Sequence, residues 1–147
     1  MKVYLDICCL KRPFDDQMQP RIALETAAVL TVLRWIAEGR LAAVRSLAHN
    51  LENSLNPNVA RAAVVSEWLE LLNPLEPTPS AVAGNFKEFR SKGIGLMDAY
   101  HLAWAEYLGA DVLLTSDDEF LARGRRLSGV LKTRMMDPCA FVRGMQS

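Results

Sequence analysis

Two kinds of hydrophobic pattern alternate along this chain. Short apolar runs of strand length cover residues 3–5, 40–44, 112–115 and 133–136. Between them, apolar residues recur three and four positions apart, as they do in amphipathic helices; these segments cover residues 24–35, 59–72, 80–90 and 96–108. Strands separated by helices predict an α/β fold: a small parallel sheet of four to five strands flanked by helices on both faces, in three layers α/β/α.

The length of the chain and the positions of its prolines and glycines indicate its domain organisation. The chain has 147 residues, of which 50% are hydrophobic and 23% charged, and this size and composition fit a single domain over residues 1–147 with a core of its own. Prolines at 74, 77 and 79 indicate a turn inside that domain. Gly109 is expected to end the helix of residues 96–108 in the left-handed conformation.

Charge and cysteine content narrow the function classes. Seventeen basic residues balance seventeen acidic ones, which argues against a globally basic nucleic-acid coat and requires a local patch or a bound cation for such binding. Cys8, Cys9 and Cys139 form neither a disulfide framework nor a CxxC half-site. With no signal peptide and no apolar run of about 18 residues, a cytoplasmic location and no membrane association are expected.

Two acidic residues follow strand-length runs. Asp6 ends the first run and Asp117 lies two residues past the third, and open parallel sheets bind ligands at the carboxyl ends of their strands. Both are therefore candidates for one site. Asp117 also precedes a helical segment, so capping that helix is the alternative.

Two further acids begin or lie on helical segments. Asp98 opens the helix of residues 96–108, where a favourable interaction with the helix dipole is the alternative role. Glu52 follows Ser46, which is expected to cap a helix, and the alternative for Glu52 is a solvated helix position. Four clustered carboxylates would stay ionised only with a cation. Oxygen ligands suit Mg²⁺ or Mn²⁺, and such an ion favours hydrolysis of a phosphodiester.

The motifs containing these acids resemble the PIN-domain endoribonucleases, in particular the VapC-like toxins. The resemblance rests on residues 3–6, Ser46 with Glu52, residues 95–103, residues 113–118 and residues 136–141. It implies a PIN-like fold and a hydrolase that cleaves RNA with Mg²⁺ or Mn²⁺. It further implies a homodimer, the toxin of a type II toxin–antitoxin pair, and an antitoxin protein as partner. The catalytic, metal-binding residues would be Asp6, Glu52, Asp98 and Asp117.

One departure from the family pattern supports a second hypothesis. Many members follow the first Asp with Thr and Asn, whereas this chain has Ile7 and Cys8. The alternative is therefore a catalytically weak PIN-fold module that binds a partner protein or RNA. The persistence of all four acids argues for the enzyme.

Several neighbouring residues are candidates for supporting roles. Thr115, Ser116 and Asp118 are expected to contact a ligand or the carboxylates, with helix capping or a first-turn position as the alternative. Three arginines after the fourth acid are candidate RNA phosphate contacts, with a solvated helix face as the alternative; they are Arg123, Arg125 and Arg126. His49 and His101 are expected to be structural or surface residues rather than a general acid and base.

Overall fold

The computed structural model describes residues 1–69 and 78–146. Within these ranges the strands are β1 Lys2–Leu5, β2 Ala42–Ala43, β3 Val112–Leu114 and β4 Arg134–Met136. The helices are α1 Ile7–Lys11, α2 Pro20–Ala37, α3 Leu47–Ser54, α4 Val59–Leu69, α5 Ser80–Ser91, α6 Leu96–Tyr107, α7 Asp118–Arg126 and α8 Pro138–Gln146. A 3₁₀ turn, Arg12–Phe14, follows α1.

The four strands form one parallel sheet in the order β2-β1-β3-β4. This confirms the predicted fold class. The second strand is shorter than the predicted run of residues 40–44, because the amides of Arg40 and Leu41 bond to the Trp35 carbonyl and so complete the end of α2. Ala42 and Ala43 form the strand, and the Val44 amide adds a bond to the Val3 carbonyl at 3.1 Å.

Alternating side chains of the sheet face two helical layers. Val3, Leu5 and Leu114 pack in one core with residues of α1, α2, α4 and α8. Tyr4, Leu113 and Met135 pack in a second core with residues of α3, α5, α6 and α7. Because successive residues of a strand point to opposite faces, these short buried strands support both layers, as the α/β/α prediction requires.

The predicted helices of residues 80–90 and 96–108 agree with α5 and α6 to within one residue, whereas α2 begins at Pro20, four residues before the predicted start. Gly109 has φ +70° after α6, as expected for a left-handed helix end. Ser46 caps α3 by accepting the Ala48 amide at 3.1 Å. The predicted end of the helix at residue 72, and prolines 74 and 77, lie outside the described residues. No helix in the described ranges is long and apolar enough to cross a membrane.

The strand order creates a crevice between β1 and β3. The chain places β2 on one side of β1 and β3 on the other, so the connections after the two central strands diverge. Ligands of open α/β sheets bind at this switch point, outside the carboxyl ends of the strands. Asp6 directly follows β1 there, and its amide bonds to the Leu114 carbonyl at 2.9 Å.

Candidate metal centre

Asp6 is fixed at the end of β1 by contacts from the neighbouring strand and helix. It is 3% exposed. Its Oδ2 accepts the Thr115 hydroxyl at 2.8 Å and the Cys8 thiol at 3.2 Å. Burial, with repulsion from Glu52, raises the pKa of Asp6 despite the opposing effect of His101. The carboxylate makes no capping bond to α1.

Glu52 comes to Asp6 from α3, and a histidine lies between them. Nε2 of the fully buried His101 lies 3.8 Å from Asp6 Oδ1 and 3.5 Å from Glu52 Oε2. Burial alone would raise the pKa of Glu52, but His101 and Lys11 lower it. Burial would likewise lower the pKa of His101, but the two carboxylates raise it.

Asp98 reaches the same region from the first turn of α6. Burial raises its pKa to about 7, and the charges of Asp6, Asp117 and Glu52 add to this effect. Such mutual repulsion requires close approach. The structure therefore brings together the four acids that the sequence singled out, from four separate elements.

Asp117 is exposed and directly precedes α7 as its N-cap residue. Its Oδ1 accepts the amides of Glu119 and Phe120 at 2.9 and 3.1 Å, so the capping role considered from the sequence is present. The carboxylate still lies close enough to Asp98 to raise its pKa. Asp117 thus both caps α7 and belongs to the cluster of acids.

The donor set fits a divalent cation. Ligand atoms of Asp6, Glu52 and His101 lie within 4.8 Å of one another. In the ranges 1–69 and 78–146, the buried Glu52 Oε2 and His101 Nε2 have no hydrogen-bond partner. A cation among the carboxylates would relieve the repulsion that raises the pKa of Asp98. Oxygen-rich sets of this kind suit Mg²⁺ and Mn²⁺.

The predicted supporting residues occupy three different environments. Thr115 contacts Asp6 directly, and the Ser116 hydroxyl lies 3.2 Å from Cys8 Sγ. Asp118 is exposed and forms a two-point ion pair with Arg21 at 2.6 and 2.7 Å, which lowers the pKa of Asp118. Their roles toward a ligand stay predictions.

The three arginines lie along α7, which runs away from the site. Arg123 pairs with Glu119 at 2.5 Å and donates to the Gly93 carbonyl at 3.1 Å. Arg125 lines a cavity with Arg134, the first residue of β4, and so lies near the amino ends of the strands. Arg126 is the exposed last residue of the helix. Phosphate contacts by these residues stay a prediction.

Sequence reasoning missed two residues beside the acids. His101 is buried, which fits the structural of the two roles expected for it, but its Nε2 lies beside two of the carboxylates; its position three residues after Asp98 places both on one helix face, which was the available signal. Cys8, which stands where many family members have Asn, contacts Asp6 through its thiol. His49 is structural as expected: it is buried and bonds to the Leu5 carbonyl, and burial lowers its pKa to about 3.

A parallel α/β/α domain with carboxylates at its switch point belongs to the class of folds that can hold a cation and a phosphate there. The PIN domain family model matches residues 18–125, and the chain therefore belongs to the PIN domain family. Glu52, Asp98 and Asp117 lie inside this match, and Asp6 precedes it. PIN domains are generally metal-dependent nucleases, and PIN nucleases act on RNA. No curated protein and no solved structure matches the chain.

Proposed function

We propose that this chain is a divalent-metal-dependent endoribonuclease, with Asp6, Glu52, Asp98 and Asp117 as its active site. The observation that supports this most directly is the convergence of Asp6, Glu52 and Asp117 on the partly buried Asp98, whose pKa burial and these charges raise to about 7. Such an arrangement is unfavourable in an empty protein and becomes favourable around a cation.

In this proposal the carboxylates hold the ion, Mg²⁺ or Mn²⁺, and the chain's other residues hold the carboxylates. When bound, the ion lowers the pKa of the attacking water and offsets charge developing on the phosphate. Asp6 is kept in one orientation by Thr115. Asp117 is kept in place by its capping bonds to α7. Asp98 would bind the ion in its ionised form.

Positive charge near the site supports an RNA substrate. Lys11, at the end of α1, lies close enough to Glu52 to lower the pKa of that residue. Lys11 thus places positive charge within electrostatic range of Glu52, and such a charge is suited to a phosphate of the RNA backbone. The arginines of α7 lie farther along the surface.

The finer proposal is a VapC-like toxin of a type II pair, acting as a homodimer and inhibited by an antitoxin protein. It rests on the resemblance of the motifs around the four acids to that group. One structural feature is compatible with a protein partner: a cavity of about 300 Å³ lined by apolar side chains, among them Leu51, Leu96 and Tyr100. Leu51 and Leu96 are exposed.

The same apolar cavity favours the second candidate, a PIN-fold module that binds a partner with little catalysis. The two hypotheses differ in whether RNA is hydrolysed in the presence of Mg²⁺ or Mn²⁺. They also differ in the effect of removing the carboxylates. A binding module would still bind its partner after loss of the metal ligands, whereas the nuclease would lose cleavage.

The test is cleavage of a mixed RNA pool by the purified chain with Mg²⁺, Mn²⁺ or EDTA, alongside Asp6→Asn and Asp98→Asn. Asp137→Asn is the matched control, because Asp137 follows β4 at the same sheet edge and caps α8 through the Ala140 amide at 2.8 Å. We expect metal-dependent cleavage that both site variants lose and the control retains. Cleavage that persists in the site variants, or an absence of cleavage in both metals, would contradict the proposal.

A further inference from the structure

A buried hydrogen-bond chain lies beneath the four acids. Ser46 Oγ is 2.7 Å from the Tyr4 hydroxyl, which is 2.6 Å from Nδ1 of His101. All three side chains are fully buried. The other ring nitrogen of His101 faces Asp6 and Glu52, so the chain connects the cap of α3 to the proposed metal centre.

The direction of this chain follows from counting protons. Ser46 Oγ accepts the Ala48 amide, and among the described residues the Tyr4 oxygen is the only acceptor placed for the serine proton. Ser46 therefore donates to Tyr4, and the tyrosine proton is left to donate to Nδ1 of His101. The reverse direction would leave a buried serine proton without an acceptor, which is unfavourable.

We propose that His101 is a positioning residue in the Nε2–H tautomer, directing its proton at Asp6 and Glu52, and that it is not a metal ligand. The proposal rests on the proposed function, because it concerns the same carboxylates. The spacing of Asp6, Glu52 and His101 is compatible with a three-ligand metal site. However, a nitrogen that bears a proton has no lone pair for a metal.

The distances from His101 Nε2 to the two carboxylates favour orientation of these carboxylates over tight hydrogen bonding to them. At 3.5 and 3.8 Å, the carboxylate oxygens are too far from Nε2 for strong direct hydrogen bonds. A small rotation of Glu52 would bring its Oε2, now 3.5 Å away, within hydrogen-bond distance of the Nε2 proton. The N–H would then fix Oε2 of Glu52 and leave Oε1 of that carboxylate for the ion. For Asp6, whose Oδ2 already accepts the Thr115 hydroxyl and the Cys8 thiol, Oδ1 is the oxygen that remains for the ion. The ligand set stays all-oxygen, which favours Mg²⁺ and Mn²⁺ over Zn²⁺.

Two measurements on the unmodified chain test the tautomer directly. We expect ¹⁵N NMR of the metal-free protein at about pH 9, well above the ordinary histidine pKa, to show a protonated Nε2 and an unprotonated Nδ1 in His101. Pulsed EPR of the Mn²⁺-loaded chain should show no nitrogen bonded to the ion. His101→Gln assigns the NMR signals. A protonated Nδ1, or a nitrogen coupling to Mn²⁺ that His101→Gln removes, would overturn the proposal.

Two substitutions test positioning. His101→Gln offers an N–H near the Nε2 position, whereas His101→Leu offers none. Loss of outer-sphere partners weakens metal binding by about 10- to 100-fold, so we expect this loss in the leucine variant and most of the affinity in the glutamine variant. His49→Gln, at the other buried histidine, should leave Mn²⁺ affinity unchanged. Equal affinities of correctly folded leucine and glutamine variants would count against positioning.

The outcomes separate this inference from the proposed function. Nitrogen coordination together with metal-dependent RNA cleavage would reject the positioning role and leave the nuclease intact. The expected tautomer and Mn²⁺ affinities without RNA cleavage would support the positioning role and reject the nuclease. The NMR and EPR measurements need no RNA, so neither result depends on knowing the natural substrate.

Discussion

The Thr115 hydroxyl donates a 2.8 Å hydrogen bond to Oδ2 of Asp6, although 109 residues separate the two in the chain. The same hydroxyl oxygen accepts the Asp117 amide at 3.1 Å. One threonine thus joins the carboxylate after β1 to the loop after β3. The orientation of Asp6 therefore depends on a residue that is itself no candidate ligand.

Replacing Thr115 by valine keeps the shape and removes this donor. We expect about a tenfold loss of Mn²⁺ affinity, measured by titration calorimetry, and about 1 kcal/mol less stability toward urea. Thr115→Ser retains the hydroxyl and should stay close to the wild type in both. If the serine and valine variants bind Mn²⁺ equally, the hydrogen bond does not orient Asp6.

The pKa of Asp98 predicts a pH-dependent stability. The folded chain raises this pKa from 3.8 to about 7, so the stability contribution is fully present below pH 3.8 and is lost as the pH rises to about 7. Asp98→Asn has no such loss. We expect the metal-free variant to be more stable than the wild type by about 1 kcal/mol at pH 8, a magnitude reduced for the half-exposed side chain.

Urea denaturation at several pH values tests this expectation. The advantage of Asp98→Asn should appear between pH 3.8 and about 7 and stay constant above that range. Saturating Mn²⁺ should reverse the order at pH 8, because the ion stabilises the folded state that binds it. An advantage that is the same at every pH would contradict the assignment to ionisation of Asp98.

The buried ion pairs of Glu25, on α2, predict an effect on stability away from the candidate metal centre. Glu25 is 3% exposed and lies 3.4 Å from the Arg12 guanidinium and 3.2 Å from that of Arg21. Glu25→Ala leaves both cations without this partner, and breaking a buried pair is strongly destabilising. We expect a loss of about 2 kcal/mol in urea denaturation, because the arginines keep partial access to water.

The control for Glu25→Ala is an exposed ion pair at the end of the same helix. Arg34 and Glu38 are 2.9 Å apart and exposed, and such pairs contribute about 0.5 kcal/mol or less. Glu38→Ala should therefore change stability little. Similar losses in the two alanine variants would show that burial of Glu25 is not the cause.

Gly124 and Gly84 predict opposite effects of the same substitution. A Cβ at Gly124 would lie 2.8 Å from Met135 Cγ, whereas one at Gly84 would meet no atom within 4 Å. Both glycines lie in helices. Gly84→Ala should stabilise the chain by about 1 kcal/mol through helix propensity, and Gly124→Ala should destabilise it by about 1 kcal/mol through overpacking. Thermal melts of the two variants provide the measurement.

The sheet and the acids were predictable because they rest on local patterns. Asp6 and Asp117 follow buried strands, and parallel strands place such residues at one edge. The short helix α1 was not predictable, since five residues after a strand carry no clear period. The length of β2 was also predicted wrongly. The amides of Arg40 and Leu41 bond to the end of α2, and composition does not reveal these hydrogen bonds.

The contacts of His101 could not be predicted from its own segment of the chain. Its neighbours in the chain are apolar, and this pattern indicates a core position, which it occupies. Its partners are Tyr4 from β1 and Glu52 from α3, and only the folded topology brings these segments together. The spacing from Asp98 indicates a shared helix face, but it does not indicate which other elements that face meets.

The pairing of β1 with β3 has a consequence for the time at which the site exists during protein synthesis. Asp6 is made before Thr115 and Asp117, which emerge more than a hundred residues later, and Asp6 is oriented only after β3 docks beside β1. A growing chain on the ribosome therefore has no assembled metal centre until these residues have emerged. The proposed nuclease acquires its activity only after the segment from β1 to Asp117 has been translated and folded.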